Sequence, residues 1–374
     1  MSNYQDKIRG CLFGGAVGDA LGYPVEFLSY SRIRQKYGPQ GIQRYALDPE
    51  TGLALISDDT QMSLFTANGI LFGDTRGHTR GIAANPSDYV RNTYLDWLTT
   101  QTGKKSEMPI SWLLNIPELH ARRAPGTTCL HALSSGEMGS IKRHCNDSKG
   151  CGGIMRAAPM GLRPGDPEAW DLEGAECAAI THGHPLGYMP AAVLTHLVHV
   201  GVFGDCGRGD TLADALDEAL DVAAKLFAGE PYLGTMQKLV RRAVELSRNT
   251  AADEENIRCL GEGWVAEETL AIAVYCSLRY ADDFTKGVIA AVNHTGDSDS
   301  TGAVTGNILG AWLGYDRIEP QWKENLELSS VILEIADDLG TECPISEYHF
   351  DERAVWSRKY VFGTYPAEWQ ADRE

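Results

Sequence analysis

Residues 297–314 read DSDSTGAVTGNILGAWLG, and two features of that stretch decide how the rest of the chain is read. It opens on alternating carboxylates and hydroxyls, then turns apolar with Gly302, Gly306, Gly310 and Gly314 at every fourth position. Four-residue spacing places residues on one face of an α-helix. Glycine inside a helix costs about 0.5–1 kcal/mol relative to alanine, so a whole face of it needs a compensating contact. The contact predicted is a neighbouring helix backbone resting on that face. The neighbour expected is the helix that follows a second acidic cluster, Ser57-Asp58-Asp59-Thr60.

The helical period recurs outward from there. In 211–229 (TLADALDEALDVAAKLFAG), Leu212, Leu216, Leu220, Ala223 and Phe227 recur at three- and four-residue steps, Thr211 with Asp214 resembles a capping box, and Gly229 is a stop signal. Similar stripes occupy 190–202, 236–248, 265–280 and 326–339, and strand-like alternation is scarce. Segments 38–55, 146–153, 163–171 and the tail from Pro344 onward are rich in Gly, Pro and Asp and are predicted to be loops. No long polar linker and no repeat of solenoid period divides the chain. The expected architecture is all-α: one compact domain over 1–374, with 345–374 an aromatic tail (Tyr348, Phe350, Trp356, Tyr360, Phe362, Tyr365 and Trp369) packed back on the body.

Charge narrows the function classes. Thirty-three Lys and Arg against 51 Asp and Glu leave a net charge of −18, which disfavours phosphate backbones and anionic lipid and suits cations. No nucleic acid and no membrane partner is therefore expected. Nothing near the start resembles a secretory leader, and no stretch is expected to reach the roughly 18 apolar residues of a membrane span. The nine cysteines are scattered with no C-x-x-C pair, which fits a reducing compartment, so the expected location is cytoplasmic.

Each acidic cluster precedes an apolar helix, where a single Ser or Asp would serve as an N-cap. One cap needs one acceptor, whereas each cluster offers two carboxylates plus hydroxyls. Brought together across about 240 positions, four carboxylates with flanking hydroxyls make an all-oxygen set for hard divalent cations, and two Mg²⁺ or Mn²⁺ ions would neutralise their formal charge.

Three glycine-rich pieces remain. Residues 14–19 (GGAVGD) lack G-x-G-x-x-G spacing and a preceding strand, so they read as a tightly packed helix of small residues ending near Asp19 and Gly22. Ser148-Lys149-Gly150-Cys151-Gly152-Gly153 runs into apolar Ile154-Met155-Arg156-Ala157-Ala158, a form that can cradle an anion at a helix N-terminus. Residues 123–128 are a weaker candidate of the same kind. His182 and His184 read more readily as satisfied polar residues than as ligands, and Cys151 has no partner base that would make it a nucleophile.

Taken in order, Gly18-Asp19-Ala20-Leu21-Gly22 with Glu26, Ser57-Asp58-Asp59-Thr60, Gly150-Cys151-Gly152-Gly153-Ile154-Met155-Arg156, Thr181-His182, Gly261-Glu262-Gly263-Trp264-Val265 and Gly296-Asp297-Ser298-Asp299-Ser300 resemble the motifs of the ADP-ribosylglycohydrolases, from about Ile8 to about Gly314. The resemblance implies a compact orthogonal helical bundle and two Mg²⁺ or Mn²⁺ ions. It also implies cleavage between ribose C1″ and an acceptor, commonly the guanidino nitrogen of arginine. On this footing Ser57, Asp58, Asp59, Asp297, Asp299 and Ser300 match metal-ligand positions, with Asp299 bridging. Glu26 matches a glutamate over the metals, so Glu26, Asp58 and Asp299 are the expected catalytic residues. Ser148, Lys149, Gly150, Cys151 and Gly152 match the diphosphate loop, and His182 matches a residue lining the ADP-ribose cleft. Ser57 and Ser300 stand where many relatives have threonine, and Cys151 where many have asparagine. The implied substrate is an ADP-ribosylated protein and the product ADP-ribose. The rivals are a serine-linked, 1″-phosphate or guanidine-compound hydrolase, and a non-catalytic ADP-ribose-binding relative.

Overall fold

The computed structural model describes residues 3–81, 84–106, 108–204 and 211–364. The helices of the first half are α1 (Asn3–Gly22), α2 (Tyr30–Tyr37), α3 (Asp58–Arg80), α4 (Pro86–Thr102), α5 (Thr127–Ser135), α6 (Pro167–Ala179) and α7 (Pro185–Phe203). Those of the second half are α8 (Leu212–Leu226), α9 (Leu233–Ser247), α10 (Asp253–Arg258), α11 (Ala266–Arg279), α12 (Phe284–Val292), α13 (Ser298–Leu313), α14 (Pro320–Lys323), α15 (Ser329–Leu339) and α16 (Val355–Tyr360). Among the described residues β pairing is confined to isolated bridges.

The glycine face of α13 does meet a backbone, but the backbone belongs to α1. A Cβ added at Gly306 would lie 1.9 Å from the carbonyl oxygen of Gly14, and one at Gly310 1.9 Å from that of Gly10. From the other side, a Cβ at Gly18 would lie 1.9 Å from Gly302 O, and one at Gly22 2.3 Å from Ser298 O. The two helices are antiparallel and in register along four turns. The expectation that α3 fills this place is therefore wrong: α3 has glycines at the same four-residue step, but its Gly69 and Gly73 face Val90, Thr93 and Tyr89 of α4, which leaves the α13 face to α1. Glycines 14, 15 and 18 are helical, as read from the sequence.

That seam positions everything around it. Where Gly22 meets Ser298, the chain leaves α1 through a 3-10 turn, Tyr23–Val25, and sets Glu26 beside the first turn of α13. Asp19, one turn earlier and fully buried, reaches the other way. Its carboxylate accepts the Ser57 amide at 3.0 Å on both oxygens, the Thr60 amide at 3.0 Å and the Thr60 hydroxyl at 2.5 Å. Thus α1 grips the start of α3 with one residue and the start of α13 with its glycines.

The buried apolar side chains form one cluster that runs from Ile8 to Tyr360. Helix α7 lies within it. It is long and apolar enough to cross a membrane by length and composition, contrary to the expectation that no stretch would be, and 89% of that window is buried in the protein. Two loop expectations also fall short. Residues 163–171 run into α6, capped by Asp166, whose carboxylate accepts the Glu168 amide. The tail holds α16, whose Trp356 donates to Thr75 Oγ1 at 2.9 Å and whose Tyr360 hydroxyl donates to Asp338 at 2.6 Å. Tyr348, by contrast, is 92% exposed, and Tyr365 and Trp369 lie outside the described residues. The eight described cysteines are free thiols, and Cys206 lies outside the described residues.

Candidate active site

A cleft of about 460 Å³ opens where the first turns of α3 and α13 face each other. Its acidic wall is Glu26, Asp58, Asp59, Asp297 and Asp299, with Ser300 beside them. The two clusters that the sequence placed about 240 residues apart thus meet in one cavity. Both also cap their helices. Ser57 Oγ accepts the Asp59 amide at 3.2 Å, and Asp297 Oδ1 accepts the Ser300 amide at 3.3 Å. Asp299 Oδ1 shares the Ser300 amide at 3.0 Å, Asp58 Oδ2 accepts the Gly126 amide at 3.0 Å and Asp59 Oδ2 the Ser57 hydroxyl at 3.4 Å, so one oxygen of each aspartate is engaged and the helix ends do not need the other. Ser57 itself is fully buried behind the wall, held by Asp19 and close to Asp59, and does not line the cavity.

The wall is electrostatically unsatisfied. One carboxylate oxygen from each of Glu26, Asp297 and Asp299 lies within 4.8 Å of the other two. Among the described residues no Lys, Arg or His forms an ion pair with any of the five acids. Burial, then the charges of Asp299 and its neighbours, pushes Glu26, Asp59 and Asp297 above the usual carboxylate range. Asp58 rises chiefly by burial, partly offset by the Gly126 amide that donates to its Oδ2 at 3.0 Å. Burial and Asp299 push Asp19 up to about 7. Glu26 Oε2 and Asp59 Oδ1 are buried with no hydrogen-bond partner. Buried charges of one sign persist only with a counter-charge or bound protons. An all-oxygen acidic set with orphaned atoms fits a hard divalent cation, and the cluster is able to hold a metal ion.

Gly150, Cys151, Gly152 and His182 line the same cleft, with Cys151 next to Asp297. The glycine loop is pinned to the 261–265 segment, since Cys151 N donates to Trp264 O at 3.2 Å and Ala266 N to Lys149 O at 2.9 Å. No α-helix begins here. A 3-10 turn, Cys151–Gly153, follows the loop, so the expected helix N-terminus is absent. Ser148 and Lys149 do not line the cavity: Ser148 Oγ sits 3.3 Å from Thr128 Oγ1, and the Lys149 ammonium pairs with Glu267. Burial and the adjacent Asp297 push the Cys151 thiol far above its ordinary value, consistent with a residue that is no nucleophile. His184 caps α7 through Nδ1, which accepts the Leu186 amide at 3.0 Å.

Sequence reading weighed some parts too lightly and missed others. The third glycine piece supplies Ala124, Pro125, Gly126, Thr127 and Thr128 to the rim, with Ala124 at φ 49 just before Pro125. Arg123 pairs with Glu327 and donates to Ile56 O at 3.0 Å, bracing the approach to Ser57. Phe27 and Trp264 stack at the mouth, ring centroids 5.7 Å apart and 20° from parallel. Asp19 stood in a quoted motif without a role, because its partners are 38 and 41 residues away.

The family model described as ADP-ribosylglycohydrolase matches residues 1–347. The ADP-ribosyl-[dinitrogen reductase] glycohydrolase of Rhodospirillum rubrum is 27% identical over 334 residues, 87% of this chain and 91% of that protein. ADP-ribosylhydrolase ARH3 of Gallus gallus is 26% identical over 364 residues, covering 89% and 92%. A solved ADP-ribosylglycohydrolase-related protein complex shares the fold at a TM-score of 0.62 and 23% identity, over 92% of this chain and 100% of that one. A match that takes in every segment of the acidic cleft and both helices of the glycine seam leaves one conclusion: this chain belongs to the ADP-ribosylglycohydrolase family.

Proposed function

We propose that the protein is a Mg²⁺- or Mn²⁺-dependent hydrolase that cleaves the N-glycosidic bond between ADP-ribose and an arginine side chain of a modified protein. The observation that carries this reading is the convergence of five carboxylates without ion-pair partners and a glycine loop in one cleft. Asp58, Asp59, Asp297, Asp299 and Ser300 would hold two cations, with Ser57 behind the wall. Bound there, the cations supply Lewis acidity that orients the ribose diol and activates a water near neutral pH.

The chain's own groups do the rest. Breaking the C1″–N bond builds positive charge on the ribose, which carboxylates stabilise. Guanidine is a strong base and leaves only as its nitrogen gains a proton. Glu26, whose pKa burial pushes upward, is placed to carry that proton. It gives that proton to the departing nitrogen and recovers one from the water whose oxygen bonds to C1″. Gly150, Cys151 and Gly152 receive the diphosphate. Phe27 and Trp264 offer flat faces to a delocalised cation at the mouth of a negative cleft, which favours arginine as the acceptor. In the cell, a cytoplasmic ADP-ribosylated protein is the corresponding partner.

The test is release of ADP-ribose from Arg-linked and Ser-linked peptides, with Mg²⁺ and with chelator. Release from the arginine substrate alone, abolished by chelator, is expected. Preference for the serine substrate would overturn the acceptor, and equal turnover in chelator would overturn the metal.

A further inference from the structure

Arg156 is fully buried, and among the described residues no carboxylate pairs with it. Its Nη2 donates to Thr181 Oγ1 at 2.6 Å and to Cys177 O at 3.2 Å. Its Nη1 faces only sulfur, Cys129 Sγ at 3.2 Å and Met62 Sδ at 3.5 Å, and the guanidinium lies 4.4 Å from the Tyr94 ring centroid. Thr181 Oγ1 in turn sits 2.8 Å from His182 Nδ1. Nε2, on the far side of the ring, makes no hydrogen bond among the described residues. It points toward the glycine loop, where a Cβ added at Gly150 would lie 3.3 Å from it and one at Gly152 3.4 Å.

The proton positions follow from donor inventory. A guanidinium only donates, so Thr181 Oγ1 must accept from Arg156. The hydroxyl has one hydrogen left to give, and its candidate acceptors are His182 Nδ1 at 2.8 Å and Cys129 Sγ at 3.9 Å. Were Nδ1 protonated instead, two N–H donors, one of them cationic, would converge on a single oxygen. The hydroxyl hydrogen would then be left to a long contact with a weak sulfur acceptor.

We propose that Arg156 and Thr181 are positioning residues that lock His182 as its Nε2–H tautomer, making it a fixed hydrogen-bond donor to an anionic oxygen in the cleft and not a proton-transfer group. This rests on the reading of the cleft as an ADP-ribose site, where the diphosphate supplies such oxygens. Burial and the Arg156 charge also push His182 down to about 3, so the ring is neutral near pH 7.

Imidazole nitrogen–proton correlation spectra of the ¹⁵N-labelled full chain test the lock, with the His182 signals assigned by their loss in His182→Gln. The expected proton is on Nε2 in the wild type and in Thr181→Ser, with a mixed or reversed tautomer in Thr181→Val. A wild-type proton on Nδ1, or on both nitrogens, overturns the proposal. Calorimetry with ADP-ribose in Mg²⁺ tests the donor. His182→Gln keeps an amide N–H near Nε2 and should bind within about threefold of wild type, whereas His182→Leu should lose about tenfold or more. Equal losses would overturn the donor role. A wild type that shows the Nε2 proton yet does not bind ADP-ribose would sink the functional reading and leave the tautomer lock standing.

Discussion

The seam between α1 and α13 and the cleft at its end are built from the same two helices and obey opposite rules. Along the seam, backbone lies against backbone through Gly10, Gly14, Gly18 and Gly22 facing Gly310, Gly306, Gly302 and Ser298. At the cleft, carboxylates face one another with orphaned oxygens, and among the described residues no cationic side chain pairs with them, although Arg122 also lines the cavity. The first region contributes to stability through close packing. The second costs stability by desolvation and repulsion. What the difference teaches is that the seam brings the mutually repelling acids together: its register sets Glu26 and Asp299 side by side, and Asp19, on the same helix, anchors the second cluster. Only something that binds the cleft can repay the cost.

The hardest way to break this contrast is at the seam. Gly306→Leu should prevent folding, because even its Cβ would sit 1.9 Å from Gly14 O, and that atom belongs to a helix backbone that cannot step aside. A loss of about 4 kcal/mol or more is expected, at the exceptional end for single substitutions and a large part of a domain's usual stability. Denaturant unfolding or the soluble yield measures it. A stable, helical Gly306→Leu protein would mean the two helices are not in contact.

At the cleft the expected sign reverses. Asp299→Ala removes one of five repelling acids, so the metal-free protein should melt no lower than wild type. Turnover should fall by about a thousandfold or more, with several kcal/mol of transition-state stabilisation lost. Thermal scans sharpen the point. Wild type should gain about 2.7 kcal/mol when Mg²⁺ stands at a hundred times its dissociation constant, and Asp299→Ala should gain far less. A variant that loses stability without Mg²⁺, or keeps the full Mg²⁺ shift, would erase the distinction between the two regions.

How much of this was legible in the sequence depended on the range of the interaction. Helix α8 could be read from local spacing and its capping box, both present in the structure. The acidic clusters could be read from their excess of oxygens over what a cap consumes, although their meeting could not. The partner of the α13 glycines was misjudged even though a signal existed: Gly10, Gly14, Gly18 and Gly22 repeat with the same four-residue step. The step alone does not name the partner, since Gly69, Gly73 and Gly77 of α3 repeat it too and Gly69 and Gly73 face α4; only the close approach of the two backbones singles out α1. Asp19 and Arg156 act through contacts to distant segments, and no local period marks such contacts. The loop at 163–171 was misplaced for a simpler reason, since Pro167 follows a capping aspartate at the first turn of a helix.

The smallest expected effect lies at Lys149, where resemblance and geometry diverge. Its position matches the diphosphate loop, but its backbone carbonyl is what the loop uses, accepting the Ala266 amide at 2.9 Å. Its ammonium is turned to Glu267, away from the cavity, and its side chain is 41% exposed while that of Glu267 is 5% exposed. A half-exposed ion pair contributes about 0–1 kcal/mol. A phosphate contact through a charged hydrogen bond would contribute about 1.5–3 kcal/mol. Lys149→Met should therefore change the affinity for ADP-ribose by less than about threefold, with the melting temperature lowered because the buried Glu267 loses its cation. A loss of tenfold or more on titration calorimetry would show that the ammonium swings into the cleft when the diphosphate binds.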